Sequence, residues 1–218
     1  MKNELPLPYK LADQYLESLS KTILRRTERV RKKLSLLKFD ELSVMQEVDV
    51  LYEAFGRDCR QTFRGLYVDR YTELYRFLKG KKPDEDEIDE LVDMYLAGLW
   101  DTPNENTHYA FGTELVRKRD STKEAIIAVP TRTQKQLELE KAARYLIQQS
   151  AWYIDFTSQD AEVQALKDCG VKKVKRNEMN DDKVCRECRQ SNGEIYEIDK
   201  IPPLPHLRCR RWFTPVIK

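Results

Sequence analysis

From Leu42 to Leu78 apolar side chains recur at three- and four-residue steps, through Met45, Val48, Leu51, Phe55, Cys59, Phe63, Leu66, Tyr71 and Leu74. This spacing fits one face of a helix and fits no strand. Unbroken, the helix is about 57 Å long at 1.5 Å per residue. Gly56 and Gly65 are the points where it can break, and Gly80 is a natural stop. Residues 9–37 repeat the pattern with Leu16, Leu19, Ile23, Val30, Leu34 and Leu37, opposite a basic face of Arg25, Arg26, Arg29, Arg31, Lys32 and Lys33. A third helix starts near Pro83, where Asp84, Glu85, Asp86 and Glu87 suit the positive end of a helix dipole. Residues 101–107 read as a turn and 108–119 as a short helix, while 125–130 fit either helix or strand. Gln134–Ser150 is a further helix, and Ser158–Cys169 another, ended by Gly170. The expected fold is mainly α: long amphipathic helices with a small C-terminal β-hairpin module, α+β in all.

The chain is 40% hydrophobic yet 35% charged, against roughly 25% charged in an average domain. Long helices with wide solvated faces reconcile the two. The net charge of +2 excludes a uniformly basic nucleic-acid coat and a uniformly acidic chain. It conceals a pattern. Residues 1–38 hold 10 basic and 4 acidic side chains, 39–115 hold 8 and 18, and 116–218 hold 21 and 15. Basic ends around an acidic middle can attract each other or separate partners. No Walker loop, G-x-S-x-G, H-E-x-x-H or Rossmann fingerprint is present. Neither His108 nor the scattered carboxylates stand in a catalytic context, so no catalytic residue is assigned and no enzyme is expected. No apolar run approaches the roughly 18–20 residues that cross a bilayer. The first ten residues, with Pro6 and Pro8, do not read as a signal peptide.

Helical periodicity stops near Val171, and the following tail has too few apolar residues for a core of its own. It carries Cys185-x2-Cys188 and, 17 residues later, His206-x2-Cys209. Three thiolates and one imidazole make a tetrahedral Cys3His zinc set, filled by protein and therefore structural. Asn192-Gly193 is a hairpin-turn signal that lets the chain return through Ile195, Tyr196 and Ile198. Pro202, Pro203 and Pro205 stiffen the arm presenting His206. Free thiols, or a Cys185–Cys209 disulfide, remain the other readings. Five cysteines with no secretory pattern favour a reducing compartment and metal over a disulfide framework. Cys59 reads as core, and Cys169 as buried or idle. Trp212 and Phe213 are placed to pack the module onto the helices.

The order Asp181-Asp182-Lys183-Val184-Cys185-Arg186-Glu187-Cys188, Asn192-Gly193-Glu194-Ile195, Pro202-Pro203-Leu204-Pro205-His206-Leu207-Arg208-Cys209-Arg210 resembles the end of the phage minor head protein family. This is the Mu F-like, or head-morphogenesis, family of tailed bacteriophages. The resemblance covers roughly residues 160–215; the family's final cysteine position is Arg211 here. It implies a minor capsid component that joins the portal protein during procapsid assembly, with major capsid or scaffolding protein as further partners. The same resemblance implies a place in the virion near the portal, reached through the host cytoplasm, and a link to DNA packaging or delivery. Three regions are expected: 1–120 as N-terminal helices, 121–178 as the helical part of the head-morphogenesis domain, and 179–218 as the zinc-stapled module. The alternative is a zinc-containing nucleic-acid-binding module, carried by the basic segments and the Arg208-Arg210-Arg211 cluster.

Overall fold

The computed structural model describes residues 8–36, 40–102, 110–179, 184–206, 208–209 and 211–216. His108, Arg210 and most of the expected 101–107 turn lie outside them. Five long helices come first: α1 (Pro8–Leu36), α2 (Glu41–Lys79), α3 (Glu85–Asp101), α4 (Phe111–Ala128) and α5 (Arg132–Asp168). They are followed by β1 (Lys173–Asn177), a short helix α6 (Arg186–Gln190), β2 (Ile195–Glu197), a 3-10 turn (Ile198–Lys200) and β3 (Trp212–Pro215). The molecule is mainly helical, as expected, and residues 125–128 belong to a helix rather than a strand.

Local chemistry sets the helix ends. Asp40 caps α2 by accepting from the Ser43 N–H at 2.9 Å, and Asp84 caps α3 through the Asp86 N–H at 3.0 Å. Thr131 and Gln134 form a reciprocal capping box at the start of α5. At its far end Gly170 takes a φ of +81°. Its N–H donates to Lys167 O and the Val171 N–H to Leu166 O, a Schellman stop that β-carbon-bearing residues resist.

Contacts divide the chain into two compact units, each built from separated stretches. One comprises Leu16–Thr62 and Tyr95–Ser150. Its interior holds Ile23, Leu34, Tyr52, Phe55, Ile126 and Leu139. The Tyr52 hydroxyl meets Thr122 Oγ1 at 2.8 Å. Trp100 sets its edge on Phe111, centroids 4.7 Å apart, beneath the Arg60 guanidinium. Gly56 does not break α2: a β-carbon there would stand 3.1 Å from Leu115 Cδ2, so the glycine admits a close neighbour.

The other unit comprises Met1–Tyr15, Phe63–Met94 and Ala151–Lys218. Phe63, Leu66, Leu74, Tyr153, Ile154 and Leu166 form its helical core, with Val174 and Phe213 from the sheet. Residues 151–157 continue α5 without a break. Ala151, Tyr153, Ile154 and Thr157 are all buried, and Thr157 satisfies its hydroxyl on Tyr153 O. Burial on several sides removes the polar face by which a helix is recognised in sequence.

The β element differs from the expected hairpin. It is a three-stranded antiparallel sheet, order β2-β1-β3, and its central strand lies just before the expected 179–218 module. Lys173 pairs with Glu197 on one side of β1, and Arg176 with Phe213 on the other. The Asn192-Gly193 turn joins α6 to β2 rather than two neighbouring strands. Gly193, at φ +91°, donates its N–H to Arg176 O.

Candidate metal centre

The tail is tied to α5 by polar contacts at regular places. Glu162, buried in α5, accepts the Phe213 N–H at 3.0 Å on the oxygen that also faces Arg70 Nη2 at 3.2 Å. Gln159 Oε1 receives Arg211 Nη2 at 2.7 Å, and the same nitrogen donates to Pro202 O. Asp155 Oδ2 accepts the Arg208 N–H at 2.8 Å, and the Arg208 guanidinium spans Asp155 and Asp13. Arg208 holds a φ of +61°, so these bonds fix an unfavourable backbone in the middle of the H-x2-C turn. Desolvation pushes the Asp155 carboxyl up to about 6 against the pull of Arg208.

Onto this frame the four expected donors converge. Cys185 caps α6, and its sulfur accepts the Cys188 N–H at 3.4 Å. That bond is the first cause that lowers the Cys185 thiol below its usual range. His206 Nε2 lies 3.2 Å from Cys185 Sγ and 3.1 Å from Cys188 Sγ. Cys188 Sγ and Cys209 Sγ are 3.7 Å apart. Tetrahedral zinc, with Zn–S about 2.3 Å and Zn–N about 2.0 Å, sets S···S near about 3.8 Å and S···N near about 3.5 Å. The sulfur pair matches that edge, and the imidazole contacts fall a few tenths short. Cys188 is buried and Cys185 half-buried. Burial pushes the Cys188 and Cys209 thiols up, and a bound cation would be needed to make thiolates of them. All five cysteines are free, with no Cys185–Cys209 disulfide. The donor set can hold a metal ion.

Two buried groups near the sulfurs were not legible as site residues. Arg176 and Glu178 form an ion pair at 2.6 Å, with both side chains almost wholly buried. Together with Cys188 and Cys209, Glu178 makes a second triad whose donor atoms all lie within 4.8 Å of one another, beside the triad Cys185, Cys188 and His206. Arg176 and Arg211 both feel the charge of Cys188 and Cys209. With three thiolates, a divalent cation, Glu178 and these two guanidiniums, the formal charges cancel. The signal in the sequence was only a charged pair, Arg176-x-Glu178, just past the helical segment.

The two described members of the expected basic cluster form no surface patch. Arg211 is buried and Arg208 is held by two carboxylates. Phe213 is buried, whereas Trp212 is half-exposed. Cys59 is fully buried, and Cys169 is half-buried, away from the metal-capable groups found among the described residues.

These features define a helical protein whose C-terminal sheet carries a Cys/His cluster able to hold a metal. No protein-family model matches the chain, no curated protein matches it in sequence, and no solved structure matches it in fold. No helix among the described residues is long and apolar enough to cross a membrane.

Proposed function

We propose that this chain is a structural assembly protein of a tailed-phage head, of the minor head type. In this reading Cys185, Cys188, His206 and Cys209 hold a structural zinc ion. The observation that carries the reading is the convergence of the C-x2-C and H-x2-C pairs into one cluster, with a sulfur pair 3.7 Å apart, on a frame of long helices. This is the arrangement implied by the resemblance of residues 160–215. The zinc supplies no chemistry beyond cross-linking. This chain's own residues do the rest: Asp155, Gln159 and Glu162 on α5 present the loop that bears His206 and Cys209. The helices supply the surface for the portal protein, and for capsid or scaffolding subunits, inside the assembling head. The protein works by geometry, and no residue is given a catalytic role.

The nucleic-acid reading is weaker. Arg208 and Arg211 are committed inward, and on the basic face of α1 Arg26 pairs with Asp58, Arg31 with Glu28 and Lys33 with Glu47. The test is size-exclusion chromatography with the portal protein of the same phage genome at moderate salt. Co-elution is expected. Absence of a complex, together with salt-sensitive DNA binding, overturns the assembly reading in favour of the nucleic-acid module.

A further inference from the structure

The Cys188 sulfur belongs to both donor triads, and the second triad includes a carboxylate that no structural role exhausts. Glu178 Oε1 takes both contacts from Arg176, at 2.6 Å. Its other oxygen, Oε2, is buried and has no hydrogen-bond partner among the described residues. A buried carboxylate oxygen left unpaired is costly, and such groups in folded proteins face a donor, a water or an ion. The backbone is fixed here as well, because the Glu178 N–H donates to Asn192 Oδ1 at 3.0 Å. A carboxylate oxygen of Glu178 thus sits within 4.8 Å of Cys188 Sγ and Cys209 Sγ, and Cys188 Sγ is shared with the triad that Cys185 and His206 complete. Zinc accepts carboxylate oxygen at about 2.0–2.2 Å and keeps four ligands in structural sites. Five donors for four places leave one exchangeable. Cys185 and Cys209 are both half-buried and Cys188 is 1% exposed, and of the three Cys185 stands in the most open surroundings.

We propose that Glu178 is a reserve ligand of this centre, which takes the ion through its free carboxylate oxygen, with Cys188, His206 and Cys209, whenever Cys185 is withdrawn. The inference rests on the metal reading above. It gives the site a property that a closed Cys3His set lacks: Cys185 can be oxidised, alkylated or engaged by a partner without loss of the ion. Exchange conserves charge at the ion, one carboxylate replacing one thiolate. The Cys185 sulfur leaves as a thiolate and takes its proton from water.

The test uses the full chain, cobalt(II) as the probe and a competing chelator to read affinity, in wild type, Glu178→Gln, Cys185→Ser and the double variant. Circular dichroism establishes that each is folded. Glu178→Gln alone is expected to stay within about threefold of wild type, because four donors remain. Cys185→Ser is expected to keep one cobalt per chain, with a thiolate-to-cobalt absorption band weakened by the loss of one sulfur. The double variant is expected to fall by more than about a hundredfold below Cys185→Ser. If Glu178 only orients Arg176, its substitution costs the same factor in both backgrounds, typically about 10–100-fold, and the proposal is overturned. Complete loss of cobalt from folded Cys185→Ser also overturns it. If wild type itself takes up no cobalt, the metal reading fails and the reserve ligand fails with it, an outcome distinct from the other two. Cys185→Ala serves as the second background, free of any serine hydroxyl donor.

Discussion

Arg70 and Glu162 form a buried charge pair at 3.2 Å. Both are almost wholly buried, at 1% and 2% exposure. Burial pushes the Glu162 carboxyl up, and Arg70 pulls it back. Two desolvated charges offset each other only while both are present, and without Glu162 the Arg70 guanidinium is left to the half-exposed Glu73 carboxylate at 3.2 Å. Glu162→Ala is therefore expected to cost about 3–5 kcal/mol in urea unfolding, while a combined Arg70→Met and Glu162→Leu change recovers most of that loss. A cost under about 1 kcal/mol for the single change would mean that water reaches Arg70. Asp155 gives a pH signature instead. Its folded pKa of about 6 stands above the 3.8 of a free aspartate side chain, so folding binds a proton there. The stability from this group is fully present below pH 4 and is lost as pH rises through 6. Between pH 4.5 and 7.5, at fixed metal content, wild type is expected to lose about 2 kcal/mol relative to Asp155→Asn. A constant gap between the two proteins contradicts that assignment.

At the scale of elements, glycines separate packing from propensity. Gly98 lies on an exposed part of α3 with nothing within 4 Å of where a β-carbon would stand. Gly98→Ala is expected to stabilise by about 0.5–1 kcal/mol, the backbone-entropy gain alone. Gly112, in the first turn of α4, faces Trp100, whose Cδ1 and backbone oxygen would lie 2.8 and 2.9 Å from an added β-carbon. The same change there is expected to destabilise by about 1–3 kcal/mol, because a backbone atom must move. Thermal unfolding of the two variants reads the opposite signs; equal shifts would mean that α3 and α4 do not meet at Trp100. The same distinction explains what was legible in the sequence. Helices with one polar face, α1 to α3, stood out by period. The 151–157 stretch of α5 did not, because its burial leaves no polar side to count. Strand β1, Lys-Val-Lys-Arg-Asn, hid because one of its two buried positions is Arg176, made tolerable by Glu178. The four Cys/His donors were legible because metal-ligand spacing is local. Glu178 was not, because its approach to Cys209 depends on the β1–β3 pairing across 31 residues of chain.

For the whole molecule, the question is what a metal ion adds to a tail that is already anchored. Val174, Ile198, Leu204 and Phe213 are buried, and Asp155, Gln159 and Glu162 hold the loop and β3 through hydrogen bonds that need no ion. The stretch between β1 and β2 is different. Among its described residues one apolar side chain apart from Cys188 is buried, Val184, and α6 has only five residues, too few to be stable alone. Around Cys185 and Cys188 the donor cluster adds to the bonds that tie Glu178 to Asn192 and Gly193 to Arg176. Removal of zinc by a chelator, or Cys188→Ser, is expected to loosen α6, where Arg186 and Arg189 are already exposed, so that trypsin cleaves there faster by at least about tenfold. Helical circular dichroism should fall by less than about a tenth, since five long helices hold most of the signal and their caps and cores lie outside the cluster. Cys185→Ser should remain as resistant as wild type if Glu178 keeps the ion in place. Global loss of helicity on chelation would show that the cluster supports the helices themselves, and that the tail and the α5 frame fold as one cooperative element.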